Sequence, residues 1–397
     1  MITKTDAMGL SRRVLALEES ATLAVAERAT QMRTKGIDVI SFGAGEPDFD
    51  TPEHIKKAAV DAIAKGHTKY TSSSGIMPLR RAIAQKFERD NGLSYRVEQV
   101  LVSCGSKHSI YNALQALVDP KDEVIIPAPF WVSYPEMVKS ADGKPVIVAT
   151  DESAGFKMKP AHLKRAITKK SKAVMLCSPC NPTGIVYTPD ELKALAEVID
   201  DAGLWVISDE IYERLVYGKA KHVSIATFGD LKERTVVVNG VSKAYAMTGW
   251  RIGYMAGPRE VIDGAAKLQS QSTSNPTSVS QYAALAAMES GYASTDAMAA
   301  EYLKRRDTIV ARLRAIPGVT CVSPDGAFYA FPNVSGAYRA GIKGSGAFAS
   351  ALLEKAHVAV VPGEPFGSDD HVRLSYATSM ENIVAGLDRI EQFVRGL

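Results

Sequence analysis

A chain of 397 residues is long for one hydrophobic core, and 46% apolar with 23% charged residues is a folded globular balance, which excludes disordered and fibrous classes. The net charge of +3 is dispersed, without the basic arms or stripes of a nucleic-acid binder. No apolar run approaches the roughly 18 residues of a membrane span, and Met1 to Arg13 lacks the apolar region of a secretory signal, so a cytoplasmic location is expected.

Residues 14–35 are predicted to form a helix, and Ile37 to Phe42 a short strand. That strand ends in Gly43-Ala44-Gly45-Glu46-Pro47, a loop where backbone must approach something closely. Thr51-Pro52-Glu53 opens a helix with Thr51 as its cap, which ends near Gly66. The polar loop Lys69 to Gly75 has neither periodicity and is followed by a helix from Pro78 to Asn91. From Gln99 the chain becomes repeated strand-then-helix units, the pattern of an α/β fold with a mainly parallel sheet between helical layers. Seven strands are expected: Val100 to Ser103, Glu123 to Ile126, Pro145 to Ala149, Ala173 to Cys177, Trp205 to Ser208, Thr235 to Val238 and Ile252 to Ala256. After about residue 290 come a long helix over Glu301 to Ala315 and strands near Phe328 to Phe331 and Val372 to Ser375. The predicted division is a large domain over 48–290 and a smaller α+β domain from 1–47 and 291–397, packed closely because no flexible linker appears.

The polar residues that stand out fall at C-terminal ends of predicted strands, where an open α/β sheet collects its ligand. Between the last two strands, Ser242-Lys243-Ala244-Tyr245-Ala246-Met247-Thr248-Gly249-Trp250-Arg251 reads as a Schiff-base lysine followed by a phosphate-binding arginine, although alone it reads as two surface charges. Asp209, leaving a buried strand with Tyr212 three residues on, suits a protonated pyridine nitrogen or a helix cap. Asn181-Pro182-Thr183-Gly184 supplies a donor for an aromatic oxygen or a plain turn. Gly105-Ser106-Lys107 opens a helix and makes a phosphate cradle, without P-loop spacing. Trp131 can stack on a flat ring or fill core, and Arg373 inside an apolar strand needs an anion such as a carboxylate. Only pyridoxal phosphate asks for the whole set. Of the four cysteines, Cys104, Cys177, Cys180 and Cys321, the pair Cys177 and Cys180 has CxxC spacing but no second CxxC and no histidine pair nearby, so these two are read as reduced structural thiols, and no metal is expected.

With Ser178-Pro179-Cys180-Asn181-Pro182-Thr183-Gly184, Ser208-Asp209-Glu210-Ile211-Tyr212, the Ser242 to Tyr254 stretch and Val372-Arg373-Leu374-Ser375-Tyr376-Ala377, the sequence resembles the class I aminotransferases of fold type I. Within them it is similar to the bacterial aspartate aminotransferase subgroup that includes aspartate/prephenate enzymes, from about Leu10 to the C-terminus. The resemblance implies pyridoxal 5'-phosphate as cofactor and ping-pong transfer of an amino group from aspartate to 2-oxoglutarate, with aromatic or prephenate-type substrates as the alternative. A C-S lyase or decarboxylase on the same cofactor, and a non-catalytic regulator, are the rival readings.

By resemblance the catalytic residues are Lys243, which holds the cofactor, Asp209 at its ring nitrogen and Tyr212, which binds the phenolic oxygen with Asn181. Gly105, Ser106, Ser242 and Arg251 would hold the phosphate with Lys107 alongside, and Tyr70 would reach in from a second subunit, which makes a homodimer with shared sites. Trp131 would stack on the ring, while Arg373, Asn181 and the backbone at Gly45 would grip the substrate α-carboxylate. Lys107, with Thr22 beside it, would meet a distal carboxylate. Glu18 stands where members of the subgroup that close over aspartate or prephenate typically carry a lysine or arginine; either this departure counts against prephenate or Glu18 is an exposed helix residue whose charge is screened.

Overall fold

The computed structural model describes residues 9–339 and 341–397. Seven strands form the central sheet: β1 (Val100–Ser103), β2 (Glu123–Ala128), β3 (Lys144–Ala149), β4 (Ser171–Cys177), β5 (Trp205–Asp209), β6 (Thr235–Gly240) and β7 (Gly253–Ala256). Their order is β1-β7-β6-β5-β4-β2-β3. Only β7 runs antiparallel to its neighbours β1 and β6, so the expected mainly parallel sheet is present. Adjacent side chains of a strand face opposite layers. Along β2, Val124 and Ile126 pack into the layer of helix Ser106–Leu117, whereas Ile125 between them packs toward helix Pro189–Asp201. Helices therefore cover both faces, as parallel strands with apolar residues on each side require.

A second cluster gathers the helices Ala293–Ala315, Gly344–Ala356 and Met380–Arg395 around two small sheets. In one of these Val361–Pro362, Val372–Ser375 and Tyr329–Ala330 pair antiparallel, and in the other Ile40–Ser41 pairs with Val358–Ala359. The N-terminal strand thus joins C-terminal elements. Ile211, Tyr212 and Leu215 from the large sheet's side also enter this cluster, which fixes the two units against each other along the site.

Three local expectations are corrected. The helix predicted over residues 14–35 is two helices, Arg12–Leu15 and Ala21–Thr34, because the Glu18 N–H donates to a carboxylate oxygen of Glu136 at 2.9 Å rather than to a helical carbonyl. The strand predicted from Ile37 to Phe42 pairs only over Ile40–Ser41. Thr51 does not cap the helix Glu53–Ala64; Pro52 holds that position, and the Thr51 hydroxyl donates to the Ala246 carbonyl at 2.6 Å and accepts from the Trp250 indole at 2.9 Å.

Behind β5 lies a buried charged group. Glu213 pairs with Lys86 and accepts from Asn91 at 2.9 Å; Glu210 accepts from Ser208 and Ser224 at 2.8 and 2.6 Å and lies 3.0 Å from His222 Nε2. Glu210, Glu213 and His222 bring their ligand atoms within 4.8 Å of one another, but the Lys86 ammonium and the hydroxyls already satisfy the carboxylates. Removing one partner leaves the other charge buried and unpaired. Lys86→Met is expected to lower the unfolding free energy by about 3–5 kcal/mol, read by urea denaturation; a loss under about 1 kcal/mol would show that Glu213 does not depend on it.

Candidate active site

The parallel strands deliver their C-terminal loops to one edge of the sheet, where a cavity of about 480 Å³ opens between the two clusters. Ser106 and Lys107 follow β1, Trp131 follows β2, Asn181 follows β4, Asp209 and Tyr212 come from the end of β5, and Ser242, Lys243 and Arg251 follow β6. Arg373 enters from the three-stranded sheet, and Thr22 and Gly45 from the N-terminal segment. Every site residue predicted from the sequence lines this cavity except Gly105, which sits directly behind Arg251, and Tyr70, which is 90% exposed elsewhere on the chain.

Lys243 and Asp209 form the centre. Burial disfavours the charged amine and pushes Lys243 down to about 8, with Glu46 and Asp209 opposing and Arg373 and Arg251 reinforcing the shift. Its Nζ donates to the Gly45 carbonyl. Asp209 is 4% exposed, and burial raises its carboxyl to about 6 despite two donors. Those are the Tyr134 hydroxyl at 2.6 Å and the Ile211 N–H at 3.2 Å. The N–H of Ile211 gives Asp209 part of the local turn chemistry that a helix cap has, yet the other oxygen is committed to Tyr134 across the sheet.

The helix Ser106–Leu117 points its N-terminus into the cavity, where its first N–H groups have no helical acceptor. Gly105 precedes it at φ +86°, and a Cβ there would lie 2.3 Å from Arg251 Nη2, so only glycine lets the guanidinium close on this turn. Arg251 is held by donation to the Thr248 carbonyl at 2.8 Å, and the Ser106 hydroxyl donates to the Asn239 carbonyl at 2.8 Å. Backbone donors and a guanidinium at one point, with the Ser242 side chain in the same lining, suit an anion of phosphate shape.

Opposite them, Arg373 is 1% exposed, donates to Asn181 Oδ1 at 3.0 Å and to the Gly43 carbonyl at 2.8 Å, and has a buried Nε without a partner. Among the described residues it forms no ion pair, and burial lowers its guanidinium from the usual range. The Tyr212 and Tyr329 hydroxyls are 2.8 Å apart beside it. The Trp131 ring stands edge-on to Tyr134, with centroids 5.5 Å apart, and the Lys107 ammonium lies 4.8 Å over its face. The Thr22 hydroxyl is buried without a partner. Glu18 is exposed and outside the cavity lining. Cys177 lines the cavity and Cys180 is buried behind it.

Sequence reading missed Tyr134, Tyr329 and Glu46. Tyr134 lies three residues beyond Trp131 and had a positional signal; Tyr329 comes from the smaller unit, and nothing local marked it. Glu46 lay within a loop read for its glycines, and its carboxylate accepts from Thr248 at 2.8 Å.

The sequence profile of the family described as aminotransferase class I and II matches residues 37–390. The chain is 52% identical over 389 residues to the aspartate aminotransferase of Geobacillus stearothermophilus, covering 98% of this chain and 99% of that one. It is 49% identical over 396 residues to the aspartate/prephenate aminotransferase of Cereibacter sphaeroides, covering 98% and 99%. Among solved structures, the aspartate aminotransferase of Rhizobium meliloti superposes with a TM-score of 0.94 at 44% identity, covering 97% and 98% of the two chains. That of Thermus thermophilus with maleate gives 0.93 at 46%, covering 97% and 99%. The strand-end lysine, the cradle and the buried arginine thus lie in a chain that matches these proteins end to end, and it belongs to the aminotransferase class I and II family.

Proposed function

We propose that the protein is a pyridoxal-phosphate-dependent aspartate aminotransferase, passing the amino group of aspartate to 2-oxoglutarate in two half-reactions and releasing oxaloacetate and glutamate. One observation carries the reading: a desolvated amine at Lys243 shares a cavity with a buried Arg373 guanidinium that has no ion-pair partner among the described residues. An α-amino acid supplies the groups that both require. The names of the similar proteins support aspartate as donor.

The residues fit pyridoxal phosphate on three counts: the glycine cradle a Cβ would fill, the free helix N–H groups beside Arg251, and a buried carboxylate, raised by desolvation, that a cationic ring nitrogen would pair. When bound, the cofactor supplies an electron sink for the electron pair left at the substrate Cα. Ser106, Ser242 and Arg251 with the Gly105 turn hold the phosphate, and Lys107 stands alongside. Asp209, kept in place by Tyr134, balances a protonated ring nitrogen; Tyr212 and Asn181 bind the phenolic oxygen; Trp131 stacks on the ring. Arg373, Asn181 and the Gly45 backbone bind the α-carboxylate and aim the Cα–H at Lys243 Nζ. An amine with a pKa near 8 is a usable base at neutral pH, and Lys243 Nζ would take that proton and pass it on to the cofactor carbon within the same half-reaction, the second half-reaction running the transfer in reverse. Lys107 and Thr22 face a distal carboxylate, which fits a dicarboxylic substrate.

Tyr70, exposed on its own subunit, reaches the phosphate of a second copy, so the working form is a homodimer with shared sites. The division into domains at 48–290 and at 1–47 with 291–397, and a cytoplasmic location, complete the proposal. No helix among the described residues is long and apolar enough to cross a membrane.

The purified holoenzyme should lose its long-wavelength absorbance when aspartate is added and regain it with 2-oxoglutarate; an unchanging spectrum removes transamination. A panel of amino donors, with prephenate as an added acceptor, should give aspartate the highest kcat/KM. A higher value for aromatic donors or prephenate would move the substrate to that class.

A further inference from the structure

The segment Lys69 to Gly75 has no helix or strand of its own, yet side chains from elsewhere hold it at positions 69, 71 and 73 and at Ile76 just beyond. Two glutamines with 0% exposure do most of this. Gln281, in the helix Ser278–Glu289, accepts from the Ile76 N–H at 2.8 Å and donates to Thr71 Oγ1 at 3.0 Å and to the Pro276 carbonyl at 2.8 Å. Gln269, in the helix Arg259–Ser272, donates to the carbonyls of Ser73 at 2.6 Å and Val102 at 2.7 Å and accepts from Asn112 at 3.1 Å. Ser278 adds a bond to the Lys69 carbonyl at 2.6 Å. Gly75, at φ +97°, lies so close to β1 that a Cβ would come 2.7 Å from the Val102 side chain.

These bonds lie at positions 69, 71, 73 and 76, whereas the large aromatic Tyr70 between two tied residues is 90% exposed. A loop that only had to cover core would use apolar contacts, because a buried amide left with an unmade bond is costly. Here both amides are used, and what they specify is a backbone path. Gln269 also ties that path to β1, the edge strand that runs into Gly105 and Ser106.

We propose that Gln269 and Gln281 are positioning residues that set the 69–76 loop so that Tyr70 is presented outward, in fixed register with its own subunit's cradle, to the phosphate site of a second copy. This rests on the reading of Tyr70 and the homodimer given above.

The test uses holoenzyme and measures two quantities: hydrogen exchange of the amides in 69–76, and the rate at which bound cofactor is lost after dilution. Gln281→Met removes the clamp from the helix, and Thr71→Val removes one of its bonds from the loop should the first variant fail to fold. Each is expected to speed exchange in 69–76 and to speed cofactor loss about tenfold, the factor that one lost hydrogen bond gives. Tyr70→Phe should speed cofactor loss similarly, and adding it to either variant should produce little further effect. Faster exchange with cofactor retained as in the wild type, while Tyr70→Phe loses it, would overturn the proposal and leave the glutamines as a cover for the sheet edge. Unchanged retention in Tyr70→Phe would instead remove the reading of Tyr70, and the proposal with it.

Discussion

Lys243→Met is expected to lower kcat for aspartate by about 10⁴-fold, the upper end of what a positioned base contributes. The same change should stabilise the cofactor-free protein at neutral pH. The folded pKa of Lys243, about 8, lies below the unfolded value for lysine of about 10.4. A depressed lysine binds fewer protons when folded, so it costs stability at pH 7, by up to about 3 kcal/mol. That cost fades as pH rises from about 8 through about 10. The stability advantage of Lys243→Met should therefore be largest near neutrality and shrink in base, measured by denaturation of the apo forms. A kcat within tenfold of wild type would remove Lys243 as the base. An advantage that does not change with pH would show that packing, and not desolvation, is what the lysine costs.

Asp209→Asn keeps the shape and removes the charge, and we expect kcat to fall about 10²–10³-fold, the scale on which removal of one preorganised electrostatic partner acts. Its second signature lies in acid. The Asp209 carboxyl, raised to about 6 by burial, has an unfolded value of about 3.9. A raised carboxyl binds more protons in the folded state, so its contribution is present below about pH 4 and is lost as pH rises through about 6, a fall of about 3 kcal/mol. The apo wild type should show that fall and Asp209→Asn should not. Holoenzyme should lack it too, because a cationic ring nitrogen favours the charged carboxylate. The same fall in apo Asp209→Asn would assign it to another group.

Much of the site was legible because of one physical regularity: parallel strands are buried apolar runs, and polar residues just past their ends must face a ligand or a turn. Asn181, Asp209, Lys243 and the pair Ser106-Lys107 all follow such runs, and all meet at one cavity edge. Tyr329 escaped notice because its partner, Tyr212, is 117 positions away on another sheet. Thr51 was misread for a related reason. Its local pattern is that of a cap, but the Ala246 carbonyl and the Trp250 indole compete for the same hydroxyl and win.

Local sequence therefore determined the strands, the layering and the residue types at each strand end, since these follow from hydrophobic period and backbone chemistry between near neighbours. Tertiary structure alone decided which end meets which: that Asp209 is held by Tyr134, that Arg373 is buried without an ion-pair partner among the described residues, and that Tyr70 is exposed and outside the lining of its own cavity. Those facts depend on desolvation and on contacts between segments far apart in the chain, neither of which exists until the sheet and the smaller unit have packed.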